Sequence, residues 1–373
     1  MMNRRQFLKA MGIGAAGLAL GSTYYVNRPE FGRLPTGMRR ERILASPHYY
    51  DGQFQNLEPI DQTVKGGEAK AMAEFLFGSS EGLKPKGRMI SQKTDLHSLP
   101  LDEDCVVWMG HSSLYLHLGG YRILVDPVFS SYASPAFFIN RAFDGSNIYA
   151  AADIPPVDVL VLSHDHWDHL DYPSVMALKD KAKHIICPLG VGEYFEQWGF
   201  DMARVYEEDW YTAIPLAGDL TVHVLPSQHF SGRLLKRNQT QWAGFAFITP
   251  GRRVYVSGDG GYGSHFRHIG EVLGPFDLAV MENGQYNERW ARIHLMPEEA
   301  AQAAVDVGAK AVLSMHNGKF ALSRHPWAEP YQRLSATSIG KPYRLLTPKI
   351  GEAVRIGDDR QMVGADGVSG ARR

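Results

Sequence analysis

The stretch Ser163–His169, SHDHWDH, packs three histidines and two aspartates into seven positions, directly after the apolar run VDVLVL. His164 and His166 lie two apart at the end of an expected strand, and Asp168 and His169 follow on the next bend. In an extended or turning backbone, residues i and i+2 can aim their side chains at one point, and the next two can aim at a neighbouring point. That layout suits two adjacent metals. Neutral imidazole and carboxylate are the usual ligands of zinc, and a mixed set also tolerates iron or manganese. A polar loop closing a strand rarely has this density of His and Asp.

Four donors do not complete two sites, so others must come from elsewhere in the chain. His229 ends VHVLPSQH, Asp259 ends VYVSGD and His316 ends AVLSMH. Each stands just beyond an apolar run, which puts all three at the same end of a sheet. His223 lies inside the first of these runs, where a core or surface role fits better than ligation.

Outside these motifs the chain reads as an ordinary globular protein: 373 residues, 44% hydrophobic, 21% charged, with a formal net charge of −1. Without a basic face there is no electrostatic footprint for nucleic acid, which argues against a nuclease. From Asp104 onward, short β-branched runs appear first at hairpin spacing and then alternate with helical stretches such as YPSVMALKD, GVGEYFEQWG and MPEEAAQAAVDVG. This pattern predicts a layered α/β sandwich. The domain organisation expected is an export signal or anchor over 1–27, an arm or lid over 28–100 with one helix near GEAKAMAEFLFG, a catalytic domain over 101–355, and a disordered tail over 356–373. Cys105 and Cys187 sit beside apolar runs and read as buried thiols, with a disulfide left open.

The first residues, MMNRRQFLKAMGIGAAGLALGSTYYVNRP, run from basic to uncharged and small, the order of an export signal. Arg4-Arg5 followed by Gln6-Phe7-Leu8-Lys9 resembles the twin-arginine signal, which exports folded proteins. It implies a protein that is periplasmic or anchored on the periplasmic side of the inner membrane. The uncharged run from Ala10 to Val26 is short for a spanning helix of about 20 residues.

HxHxDH followed by separate His, Asp and His residues, each after a strand, resembles the metallo-β-lactamase superfamily. WMGHSSLYLHLGGYRILVDPVFS, LSHDHWDHLD, PSQHFSGR, RNQTQWAGFAF, SGDGGYG, IHLMPEEA and MHNGKFAL are similar, in order, to the branch of N-acyl-phosphatidylethanolamine-hydrolysing phospholipases D. SPHYYDGQFQN upstream is similar to its bacterial members, and the resemblance runs from about Ser46 to Gly351. It implies a four-layer αβ/βα sandwich, with His164, His166 and His229 on one zinc. Asp168, His169 and His316 would hold a second, and Asp259 would bridge the two. In the resembling enzymes the histidine matching His294, before the helix starting near Pro297, lies beside the metal centre; His294 reads as catalytic together with Asp259, with a helix cap as the other reading, and His111 and Asp126 read as orienting ligands from behind.

The implied activity is hydrolysis of a phospholipid phosphodiester by a hydroxide bridging two zinc ions, with iron or manganese as substitutes. The partners implied are a phospholipid, or another small phosphodiester or lactone, and a membrane surface; oligomerisation is left open. Two alternatives stand beside this: a sugar-phosphate lactonase on the same fold, and a non-catalytic metal-binding envelope protein. Arg233, Lys236 and Arg237 follow His229; Arg233 is a candidate for the substrate phosphate, with a solvated basic turn as the equal alternative. The aromatic stretch Phe129–Phe143 reads chiefly as core packing, with a lipid-facing wall as the second reading. GDGGYG fits G-x-G-x-x-G by letter, but with Asp259 used as a ligand and no clear helix after it, its glycines read as letting backbones crowd around the metals.

Overall fold

The computed structural model describes residues 23–60, 82–233 and 236–358. Most of the expected export signal, the helix expected near GEAKAMAEFLFG and the tail beyond Asp358 lie outside the described residues.

A small hairpin comes first, β1 (Tyr49–Tyr50) and β2 (Gln53–Phe54). One seven-stranded sheet contains β3 (Cys105–Trp108), β4 (Leu114–Leu118), β5 (Tyr121–Val125), β6 (Val157–Val161), β7 (Ala182–Pro188) and β8 (Val205–Glu208). The second has β9 (Ala213–Pro215), β10 (Thr221–Leu225), β11 (Gly244–Ile248), β12 (Arg253–Val256), β13 (Leu278–Glu282), β14 (Ala311–Met315) and β15 (Arg344–Leu346). A final strand, β16 (Ala353–Arg355), returns to pair with β3.

Both sheets repeat one pairing pattern. In the first, β16-β3-β4-β5 are antiparallel and β5-β6-β7-β8 parallel. In the second, β9-β10-β11-β12 are antiparallel and β12-β13-β14-β15 parallel. Parallel neighbours need crossovers, and these supply the outer helices.

The sheets face each other across one apolar core. Val106, Leu116, Val159 and Val161 of the first meet Val222, Phe245, Val254 and Val280 of the second. Alternate residues point outward. Val107, Leu124, Leu160 and Ile185 pack with Val175, of helix α2 (Tyr172–Ala177), and Phe195, of α3 (Gly192–Gln197). Tyr255, Ala279 and Val312 pack with α4 (His265–Leu273), α5 (Pro297–Asp306) and α6 (Glu329–Thr337). Burial on both faces explains why the strands read as continuous apolar runs rather than alternating ones, and four layers result. Helices α4 and α6, the arm helix α1 (Gly37–Ala45) and the short strands β8, β9, β15 and β16 were not legible in the sequence. Cys105 and Cys187 are buried and unbonded.

The described part of the arm lies on the first sheet's helical side through charge. Arg39 on α1 bonds Glu193 at 2.6 Å and Glu207 at 2.8 Å, both carboxylates almost wholly buried. The stretch Phe129–Phe143 departs from the core-packing expectation at its tip. Val128 and Ala133 at its root cluster with Phe320, but Phe137 and Phe138 are 77% and 72% exposed. The chain reverses between them, closed by Ala133 N–H to Asn140 O at 3.0 Å and Ala142 N–H to Ser131 O at 2.9 Å, so the tip cannot reach the core.

Removing Arg39 takes a shared partner from two buried carboxylates, with Arg33 left on Glu193. Arg39→Ala is expected to destabilise the fold by about 3 kcal/mol, read as a lower midpoint of urea unfolding. An unchanged midpoint would mean that this ion-pair cluster contributes nothing.

Candidate metal centre

Each candidate ligand follows the carboxyl end of a strand: His164–His169 after β6, His229 after β10, Asp259 after β12 and His316 after β14. His111 follows β3 and Asp126 follows β5. Within each sheet these strands point the same way, and loops beyond such ends are where α/β sheets place their ligands. The two sheets are stitched together at this point, with His111 N–H bonding Asn317 O at 2.9 Å and His316 N–H bonding His111 O at 3.0 Å. His111, Asp126 and His316 all have positive φ, at 55°, 42° and 65°. Such backbone is costly for residues with a Cβ and persists where its surroundings hold it.

The donors fall into two groups around one oxygen. His166 Nδ1 lies 2.9 Å from His164 Nε2 and 3.2 Å from His229 Nε2. Asp168 Oδ2 lies 3.4 Å from His169 Nε2 and 3.2 Å from His316 Nε2. Asp259 Oδ2 stands between them, 3.0 Å from the nitrogens of His169 and His316 and 3.9 Å from those of His164 and His229.

The outer nitrogens are anchored, which fixes where the inner ones point. Asp126 Oδ2 accepts from His169 Nδ1 at 2.8 Å and from Ser163 Oγ at 2.5 Å; Ser163 Oγ in turn lies 2.9 Å from His164 Nδ1. His229 Nδ1 donates to Ile293 O at 2.9 Å. His111 Nε2 lies 2.7 Å from Asp168 Oδ2.

Burial and neighbouring imidazoles hold His164 well below the usual histidine range, and burial brings His166 down to about 4. His229 is likewise low, through burial and His294. His169 and His316 go the other way: burial opposes their charge, but Asp259 and Asp168 outweigh it and raise both. Asp168 and Asp259 are held low against burial, chiefly by His169.

This donor set fits divalent cations. Three neutral imidazoles turn nitrogens on one another with the protons of His164 and His229 committed outward, so their lone pairs converge. His169 Nε2 and Asp259 Oδ1 are buried without a hydrogen-bond partner. A cation satisfies both conditions.

Residues 121–317 match the family described as Beta-lactamase superfamily domain. The chain belongs to the metallo-β-lactamase superfamily. N-acyl-phosphatidylethanolamine-hydrolyzing phospholipase D 1 of Caenorhabditis elegans is 30% identical over 275 residues, 69% of this chain and 77% of that protein, in agreement with the branch read from the motifs. An uncharacterised protein of Mycobacterium tuberculosis is 37% identical over 314 residues, 83% of this chain and 84% of its own. CmlA, a diiron β-hydroxylase from Streptomyces venezuelae, superposes with a TM-score of 0.53 at 19% identity, over 69% of this chain and 55% of that one, a likeness of fold alone. Residues 1–21 match the TAT (twin-arginine translocation) pathway signal sequence, which supports export. Among the described residues no helix is long and apolar enough to cross a membrane. The protein is thus a metal-dependent hydrolase of the metallo-β-lactamase fold with an export signal.

Two sequence expectations need correction within this metallo-β-lactamase fold. Arg233 does not face a substrate. Its guanidinium is buried, stacks 4.2 Å over Trp167, and donates to the carbonyls of Asp165, Glu30, His166 and Leu170. These bonds hold the metal-binding loop against the arm. A helix does follow GDGGYG, since α4 begins at His265. The glycines nevertheless serve close approach: Gly258 has φ 62°, and a Cβ at Gly258 or Gly260 would run into the backbone of Ala243 or Gln228.

His294 stacks on His316, with ring centroids 5.2 Å apart at 17°, and its Nδ1 bonds Glu282. Sequence reading missed Glu282, which ends β13 just as the ligands follow their strands. It also missed Asn56 of the arm, which accepts from His229 N–H at 2.9 Å and donates to His229 O at 2.8 Å. For Asn56 no local signal exists.

Chelation should leave these converging donors without compensation. Protein treated with EDTA is expected to melt several degrees lower than protein saturated with zinc, reversibly, as a ligand at 1,000 times its Kd stabilises by about 4 kcal/mol. Coincident melting curves would mean that the cluster holds no metal.

Proposed function

We propose that the protein is a phospholipase D-type phosphodiesterase acting on N-acyl-phosphatidylethanolamine-like phospholipids with two zinc ions. His164, His166 and His229 would hold one ion, and Asp168, His169 and His316 the other, with Asp259 in reach of both groups. The observation that carries this is the position of Asp259 Oδ2, within 3.0–3.9 Å of four imidazole nitrogens from both groups. The lipid substrate is supported by the C. elegans relative, which carries that activity in its name.

Cations bound there would supply a water of depressed pKa as nucleophile and would neutralise charge on the phosphodiester. The chain's own residues do the rest. Asp259 accepts a hydrogen bond from the attacking water and fixes its direction. His111 and Asp126 hold Asp168 and His169 in place from behind. His294, with Nδ1 on Glu282, keeps Nε2 to deliver a proton to the departing ethanolamine oxygen. Water oxygen bonds phosphorus, the P–O bond to the head group breaks, and phosphatidic acid and an N-acylethanolamine leave.

The twin-arginine signal supports a place of action beyond the cytoplasmic membrane, on its periplasmic face, and export in the folded state allows metal loading beforehand. The exposed pair Phe137 and Phe138, with Arg141 beside it, supports contact with a bilayer, since aromatic rings favour the interface and arginine its phosphates.

Zinc-reconstituted protein given N-acyl-phosphatidylethanolamine is expected to release phosphatidic acid, and His294→Ala to lower kcat by about 10²–10⁴-fold. Hydrolysis of a sugar-phosphate lactone with no phosphatidic acid released would overturn the reading. Replacing Phe137 and Phe138 together by Ser is expected to reduce turnover on vesicles several-fold while sparing a short-chain monomeric substrate. Equal loss on both would rule out bilayer contact through this tip.

A further inference from the structure

Glu282 is a wholly buried carboxylate at this end of the sheets to which the ligand scheme gives no role. Its Oε2 accepts from Gly260 N–H at 2.8 Å and from Leu295 N–H at 3.3 Å. Its Oε1 takes His316 Nδ1 at 3.1 Å and His294 Nδ1 at short range. Gly260 follows Asp259, and Leu295 follows His294. One side chain therefore touches the loop carrying Asp259, the ring of His316, and both the ring and the backbone beside His294.

We propose that Glu282 is the positioning residue of the centre, a single carboxylate that sets the ring orientation of His316 and His294 together and ties both to the Asp259 loop. The argument is one of counting donors. Four N–H groups converge on two oxygens, and only a group that accepts on both oxygens satisfies them. A glutamine has the same shape but fails whichever way its amide is turned, because its NH2 then faces either two backbone N–H groups or two imidazole N–H groups. A buried donor facing a donor leaves both unpaired. Aspartate keeps the charge but falls one methylene short and cannot hold all four. With the carboxylate in place, the proton of His316 is committed to Nδ1 and its Nε2 is turned toward Asp168 and Asp259. The same oxygen aligns His294, so the group that binds and the group that delivers a proton are set by one residue.

The role of His294 rests on the function proposed above, whereas the hold on His316 does not. The test separates them. Zinc binding to wild type, Glu282→Gln and Glu282→Asp is measured by competition with a chromophoric chelator, alongside kcat and KM for the phospholipid. In both variants one of the two zinc equivalents, that of His316, is expected to weaken by about 10–100-fold, while the equivalent held by His164, His166 and His229, which loses only the tie on the Asp259 loop, weakens much less. kcat falls with KM nearly unchanged. A merely structural carboxylate would weaken both equivalents alike, and that result overturns the proposal, as does wild-type affinity for both in either variant. If Glu282→Gln does not fold, Glu282→Asp decides by the same criteria. Should wild type bind two zinc ions and leave phospholipid intact, the function reading fails while the zinc result still judges Glu282.

Discussion

One carboxylate oxygen, Asp259 Oδ2, faces imidazole nitrogens from four different histidines in a place closed to solvent. Without a cation that arrangement is a conflict: lone pairs converge on one side, and raised histidines and lowered aspartates neutralise one another on the other. The outer nitrogens cannot relieve it, because Asp126, Ser163, Ile293 and Glu282 already hold them. The protein spends folding energy to keep donors poised, and the metal-dependent chemistry of the superfamily is what that expenditure serves.

The sandwich makes such convergence feasible. Two sheets with the same pairing pattern bring strand ends of like direction to one edge, so ligands spread from His164 to His316 need only short loops to meet. The cost appears in the backbone, where His111, Asp126 and His316 all take left-handed conformations. The reciprocal backbone bonds between His111 and the His316–Asn317 segment bind one sheet to the other at the centre itself. A shift of either sheet would therefore move ligands of both groups at once. The arm adds a third constraint, since Asn56 holds His229 by its backbone and Arg233 locks the loop around Trp167 between the arm and the first sheet.

The short apolar runs read from Asp104 onward became strands β3–β7 and β10–β14. The strands that escaped, such as β9 and β15, are three residues long and edge their sheet, too brief to show a period. The helices that escaped, α4 and α6, carry His, Arg and Gln among their apolar residues, which blurs their period.

The identity of the donors, their order and their position beyond strands were all readable locally, because imidazole and carboxylate chemistry and the length of an apolar run belong to single segments. What those donors share was not. That Asp259 stands between two groups, that Glu282 accepts from four donors, that Arg233 is buried under a tryptophan, and that Phe137 and Phe138 face outward all depend on which segments meet. Each joins residues far apart in the chain or follows a reversal, and only the packing of two sheets, an arm and their loops decides such meetings.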